Sequence, residues 1–208
     1  MIVSDSQRLL FVHVQKTGGL TIQAALKAAL PDAHQPEGLP DGRHATYQAA
    51  LTAHPEWADY FSFGFVRNPW ARLYSWHSMI MRRKAAAEAG NQTMARRLNN
   101  MEFWATVASE LTAFESFVMR GPDMFERLRT PQLGYLTSDG RQVSFIGRVE
   151  HFDDDVDSAF RSAGLPTPER EQRNAGPPTD YRPHYTAEMR ERVAELFAVD
   201  IETFGYRF

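Results

Sequence analysis

Two short stretches carry side chains suited to holding phosphate. The first is Gln15-Lys16-Thr17-Gly18-Gly19-Leu20-Thr21, entered from an apolar run at 9–14 and followed by the helix-favouring Ile22, Ala24, Ala25 and Leu26. Strand, glycine turn and helix in that order point free backbone N–H groups at an anion, and Lys16 adds a point charge for the same oxygens. The second is Arg67-Asn68-Pro69-Trp70-Ala71-Arg72-Leu73-Tyr74-Ser75. Asn68 is a natural N-cap and Pro69 a natural first helical residue. Arg67 therefore stands where a strand gives way to a helix, which is where open α/β sheets bind ligands. Asn68, Arg72 and Ser75 share one helix face by spacing, and Arg67 with Ser75 could grip one phosphate group from two sides. Each stretch also has an ordinary reading when taken singly. Glycines can simply make a bend, and a capped helix can carry a surface arginine.

The elements that must position these residues follow in order. A strand at 9–14 leads into the first helix, Pro31 stops it, and 31–43 is a loop rich in proline, glycine and charge. Thr46 is placed to cap a short helix over 47–54. Alternating Phe61, Phe63 and Phe65 predict a strand over 60–66, and the helix from Pro69 extends to Met81 or Glu88 before Gly90-Asn91 breaks it. The pattern from 92 to 119 is helical, Gly121-Pro122 reads as a break, and 133–140 reads as irregular. A third strand at 143–147 precedes a helix over 153–163, whose Asp153-Asp154-Asp155 suits a helix N-terminus without a metal. The proline-rich stretch 164–182 is the longest loop, and a last helix covers 186–197. Strands alternating with helices imply an α/β fold with a central, mostly parallel sheet flanked by helices. Neither an internal repeat nor a linker divides the chain, so the expectation is one domain over 1–208.

Composition narrows the function. At 208 residues with net charge −3, the chain lacks the basic excess of a general nucleic-acid binder. It has no cysteine, which removes disulfides and thiolate metal sites. The first residues lack the apolar core of a signal peptide, and no apolar run reaches the roughly 20 residues of a membrane span. The expectation is a soluble, cytoplasmic protein.

Together the two phosphate stretches resemble the sulfotransferases that use 3′-phosphoadenosine 5′-phosphosulfate (PAPS), especially the carbohydrate-type branch. That family's loop, Pro-Lys-Thr-Gly-Gly-Thr-Ser, is matched by Gln15 to Thr21, and its Arg-Asn-Pro-x-x-Arg-x-x-Ser motif is intact from Arg67 to Ser75. The stretches Phe145-Ile146-Gly147-Arg148-Val149-Glu150-His151-Phe152 and 193–206 resemble its later landmarks, so the likeness runs almost the whole chain in order. The resemblance implies a P-loop-like three-layer sandwich. It also implies transfer of a sulfuryl group from PAPS to an acceptor hydroxyl, with a glycan as the default acceptor and no metal demanded. Backbone N–H groups of Thr17, Gly18, Gly19 and Thr21 would hold the 5′-phosphate, with Lys16 at the bridging oxygen where charge develops. Arg67 and Ser75 would hold the 3′-phosphate, and Arg173 with Asn174 would close over the nucleotide.

An acceptor hydroxyl must lose a proton, and histidine is the side chain tuned for that near neutral pH. Of seven histidines, His44 in Gly42-Arg43-His44-Ala45-Thr46-Tyr47 falls where the relatives carry their catalytic histidine. Its ordinary reading is a histidine at a helix entry. His13, on the first strand, is expected to be buried and hydrogen-bonded. Gln15 and Leu20 depart from the family loop, Leu20 removing a hydroxyl. Two other readings stand beside this one. A P-loop kinase wants its lysine after the glycines, and here Lys16 precedes them. A catalytically idle PAP or PAPS binder would keep the scaffold without the chemistry.

Overall fold

The computed structural model describes residues 1–168 and 180–208. The chain forms two compact units, Met1–Arg67 with Gln132–Pro178, and Asn68–Pro131 with Thr179–Phe208. It runs through β1 (Ile2–Ser4), β2 (Leu9–Val12), α1 (Gly19–Ala29), α2 (Tyr47–Ala53) and β3 (Phe61–Val66). The second unit then supplies α3 (Pro69–Glu88), α4 (Gln92–Asn99), α5 (Glu102–Ser109) and α6 (Phe114–Met124). The chain returns to the first unit with α7 (Gln132–Leu136), the hairpin β4 (Thr137–Ser138) and β5 (Arg141–Gln142), β6 (Phe145–Arg148) and α8 (Phe152–Ser162). The closing helices α9 (Ala187–Leu196) and α10 (Ala198–Phe204) belong to the second unit.

The first unit is an α/β layer structure around a sheet of order β1-β2-β3-β6. β2, β3 and β6 are parallel, with Val12 opposite Gly64 and Val66 opposite Arg148, while β1 is antiparallel to β2. Every residue of β2 is buried, as a continuous apolar run in a sheet covered on both faces requires. Alternation then divides the faces. Leu9, Phe11, Phe63 and Phe65 pack with Ile22 and Leu26 of α1 and with Val156 and Phe160 of α8. On the other face Gly64 lies against Leu136 of α7, so close that a β-carbon on Gly64 would sit 2.4 Å from it. Parallel strands flanked by helices thus bring the C-terminal ends of β2, β3 and β6 to one edge. β1 was not foreseen, since its few residues precede a turn and carry no strand-length pattern.

In the second unit Asn68 caps α3, its Oδ1 accepting from the N–H groups of Trp70 at 3.1 Å and Ala71 at 3.4 Å. Pro69 occupies the first turn, and Gly90, at φ 96, follows the end. Trp70, Leu73, Trp76 and Ile80 form the helical stripe that this unit buries with Phe103, Val107, Phe117, Met189 and Val193.

Three expectations need correction. The helical pattern from 92 to 119 is three helices, with Asn91 capping α4 and the poor helix formers Asn99 and Asn100 ending it. Gly121-Pro122 does not break α6: Pro122 is buried in its last turn, where it forfeits the single N–H bond to the Val118 carbonyl near the helix end. The stretch 133–140 is ordered as α7 and a hairpin. Asp139 and Gly140, with φ of 47 and 78, both adopt the left-handed turn that Asp-Gly favours between antiparallel strands. Among the described residues no helix is long and apolar enough to cross a membrane.

Candidate active site

The loop between β2 and α1 is built by contacts that leave little choice of residue. Thr17 is fully buried and its Oγ1 donates to the Val14 carbonyl at 2.9 Å, so its hydroxyl ties the loop and leaves only its backbone for a ligand. Lys16 and Gly18 turn the chain with φ of 69 and 78. A non-glycine residue held there costs on the order of 1–3 kcal/mol, and such strain gathers at functional sites. The Gly18 carbonyl accepts from the N–H of Thr21 at 3.0 Å. Thr21 therefore spends its amide inside the turn, and the amides of Gly19 and Leu20 are the ones at the bare end of the helix.

Both glycines are required by close approach. A β-carbon on Gly18 would stand 2.4 Å from the Phe152 ring, and one on Gly19 would stand 2.0 Å from the His13 ring. The pair is thus seated between an aromatic ring of α8 and an imidazole of the strand end, which is more than a bend demands. The space a β-carbon would take at either glycine is filled by Phe152 and His13, and the helix N-terminus beside a lysine is what fits a phosphate group. Leu20 is 42% exposed at this end of the helix, where the family loop carries a hydroxyl.

His13 and His44 meet beside this loop. His13 is 4% exposed, stacked on Phe11 and tilted against the His44 ring with centroids 4.6 Å apart. Burial, reinforced by the neighbouring His44 and Arg43, lowers its pKa to about 2, so it is neutral. It is buried as expected, but its Nδ1 has no hydrogen-bond partner among the described residues. His44 ends a tight turn, Gly42–His44, entered through Asp41 and Gly42 at φ of 57 and 53. Its Nδ1 lies 2.9 Å from the carbonyl oxygen of His13. A carbonyl only accepts, so Nδ1 carries the hydrogen, and the neutral ring has its lone pair on Nε2. That Nε2 accepts from Arg43 Nε at 3.1 Å.

Arg67, half-buried at the end of β3, is held through its backbone. Gln132, fully buried, accepts from the Arg67 N–H at 2.9 Å and donates to the Arg67 carbonyl at 2.7 Å. Arg148, at the end of β6, donates its N–H to Asp155 at 2.7 Å. Gln132 and Phe152 escaped the sequence reading as site residues, and for Gln132 no sequence signal marks it. In the second unit Arg72 is 1% exposed, donates toward the Thr130 carbonyl at 3.5 Å and lies over the Phe197 ring. It serves that unit's interior, and Asn68 is buried as well. Ser75 is half-buried on α3. Arg173 and Asn174 lie outside the described residues.

Other histidines have structural neighbours of their own. His77 bonds the Thr112 carbonyl between Phe114 and Phe117, and burial lowers its pKa. His54 stacks on Trp57, His34 contacts the Asp32 carbonyl, and His184 stacks on Tyr74.

A parallel sheet with a glycine-lysine turn and an anchored arginine at its strand ends has the layout in which open α/β proteins bind ligands at that edge. More particularly, the chain belongs to the sulfotransferase family, whose model matches residues 1–207. The chemistry of that family is sulfuryl transfer, generally with PAPS as the sulfate donor. A search of curated proteins and one of solved structures found no match.

Proposed function

We propose that this chain is a single-domain, PAPS-dependent sulfotransferase that moves the sulfuryl group to a hydroxyl of a carbohydrate or glycan-like acceptor, with His44 as the base. The observation that carries the reading is the tautomer of His44. Its Nδ1–H is committed to the carbonyl of His13, three residues before Lys16, which leaves the Nε2 lone pair as the proton acceptor.

In the reaction His44 Nε2 takes the proton of the acceptor hydroxyl as its oxygen attacks sulfur. The bond from sulfur to the 5′-phosphate oxygen breaks in line, and the proton remains on His44. Lys16 stabilises the charge that develops on the bridging oxygen. The amides of Gly18, Gly19 and Leu20, with the backbone of Thr17 and the side chain of Thr21, hold the 5′-phosphate. Arg67 and Ser75 bind the 3′-phosphate and so select PAPS over nucleotides lacking it. Arg43 occupies His44 Nε2 in the structure, so the acceptor hydroxyl replaces the guanidinium when it binds.

Incubation with sulfur-labelled PAPS against panels of glycan, phenol and small-metabolite acceptors tests this reading. Label is expected in the glycan panel with wild type and lost with His44→Ala, while PAP binding persists in that variant. Transfer at the wild-type rate by His44→Ala would overturn the assignment of the base.

A further inference from the structure

Two features outside the assigned roles stand out: a cleft beside α2, lined by Gln48, Thr52, Asp139 and Arg141 among others, and the buried imidazole of His13. The latter has defined neighbours in Gly19, His44 and Phe11. Its ring touches the backbone of the phosphate loop at Gly19, where a β-carbon would come within 2.1 Å of Nε2. It also faces the His44 ring at 4.6 Å and rests on Phe11, itself fully buried in the sheet core. The carbonyl of the same residue takes the His44 Nδ1–H.

We propose that His13 is a positioning residue: its ring is a spacer wedged between Gly19 and His44 that fixes the base relative to the phosphate loop. The inference rests on the sulfotransferase reading, in which donor and base must be held at one separation. Two features of the ring suit this task. The ring lies flat enough to fill the gap only because Gly19 has no side chain, so the second glycine and the histidine are one paired choice. Its carbonyl and its ring act on the same partner, one setting the His44 tautomer and the other its position. Hydrogen bonding through Nδ1 is not what holds the ring, since that atom is buried without a partner among the described residues.

A structural role alone predicts only that replacing His13 lowers stability. The spacer predicts a pattern across variants, read in the full chain by histidine-labelled NMR titration and by PAP binding. His13→Ala is expected to shift the titration and tautomer signals of His44 and to lower turnover about a hundredfold, the scale of a misplaced group. His13→Phe, which keeps the ring and discards both nitrogens, is expected to leave the His44 signals and PAP binding near wild type. Gly19→Ala should weaken PAP binding at least about tenfold, or 1.4 kcal/mol. Adding His13→Ala to Gly19→Ala should restore that binding but not the His44 signals. Unchanged His44 signals in His13→Ala, their loss in His13→Phe, or a double variant no better than Gly19→Ala would each overturn the spacer. Because His44 is read without ligand, failure of wild type to bind PAP would count against the sulfotransferase reading and not against the wedge.

Discussion

His13 and His44 divide between them two tasks that a histidine can perform, and burial decides which does which. The pKa of His13 falls from 6.5 to about 2, with desolvation the first cause, so the unfolded chain binds a proton there that the folded chain refuses. Between those values the unfolded state holds more protons, and stability rises with pH. His13 should therefore cost up to about 1.4 kcal/mol per pH unit as pH drops below 6.5. His77, depressed in the same direction by burial, adds to the slope. Urea melts between pH 7 and pH 5 check this: His13→Phe should flatten the dependence, and an unchanged slope would mean His13 is charged when folded. The candidate loop and Arg67 were legible because phosphate chemistry needs particular residue types at short spacing. Gln132 was not, since the long chain separation hides a side chain that pairs with one backbone residue like a strand. Gln132→Leu should destabilise by about 2 kcal/mol, through two backbone groups left unpaired, and weaken PAP binding by loosening Arg67. Wild-type stability and affinity in that variant would show that Arg67 needs no such anchor.

Among the elements, those with caps and alternation were read well, and those set by packing were not. Thr46 caps α2 by accepting from Ala49 at 3.1 Å, as its sequence position implies, and Thr186 caps α9 by accepting from Met189 at 3.2 Å. Asn68→Ala removes the α3 cap together with the 2.8 Å bond from its Nδ2 to the Arg207 carbonyl. A loss of about 1–2 kcal/mol in denaturant unfolding is expected, and a loss below a few tenths would deny the cap its role. β1 and the division of 92–119 into three helices depend on which neighbours accept the apolar faces, and local patterns do not contain that. The Asp139-Gly140 hairpin is different: its turn signal was present in the sequence and outweighed by the apparent irregularity around it. The glycine loop shows both cases at once. Its existence is written in Lys16-Thr17-Gly18-Gly19, while the reason for two glycines lies in Phe152 and His13, which only the fold brings there. Gly18→Ala, strained at φ 78 and crowded by Phe152, should abolish PAP binding in a calorimetric titration even where the chain still folds.

For the molecule as a whole, the order of chemistry along the chain follows from the parallel sheet. Strand ends of β2, β3 and β6 fall at one edge, so residues far apart in sequence, Lys16, Arg67 and Arg148, start from neighbouring strands. That arrangement, with family membership over 1–207, was legible from the two phosphate motifs in their order. The acceptor was not, because a hydroxyl offers little for a motif to encode. The central claim is selective use of a 3′,5′-bisphosphorylated adenosine, and a thermal melt in the presence of PAP tests it most directly. PAP at 100 times its dissociation constant should stabilise the protein by about 2.7 kcal/mol, with ADP giving a smaller shift and Arg67→Ala erasing the difference. No shift with PAP, together with a shift in ATP and magnesium, would contradict the account.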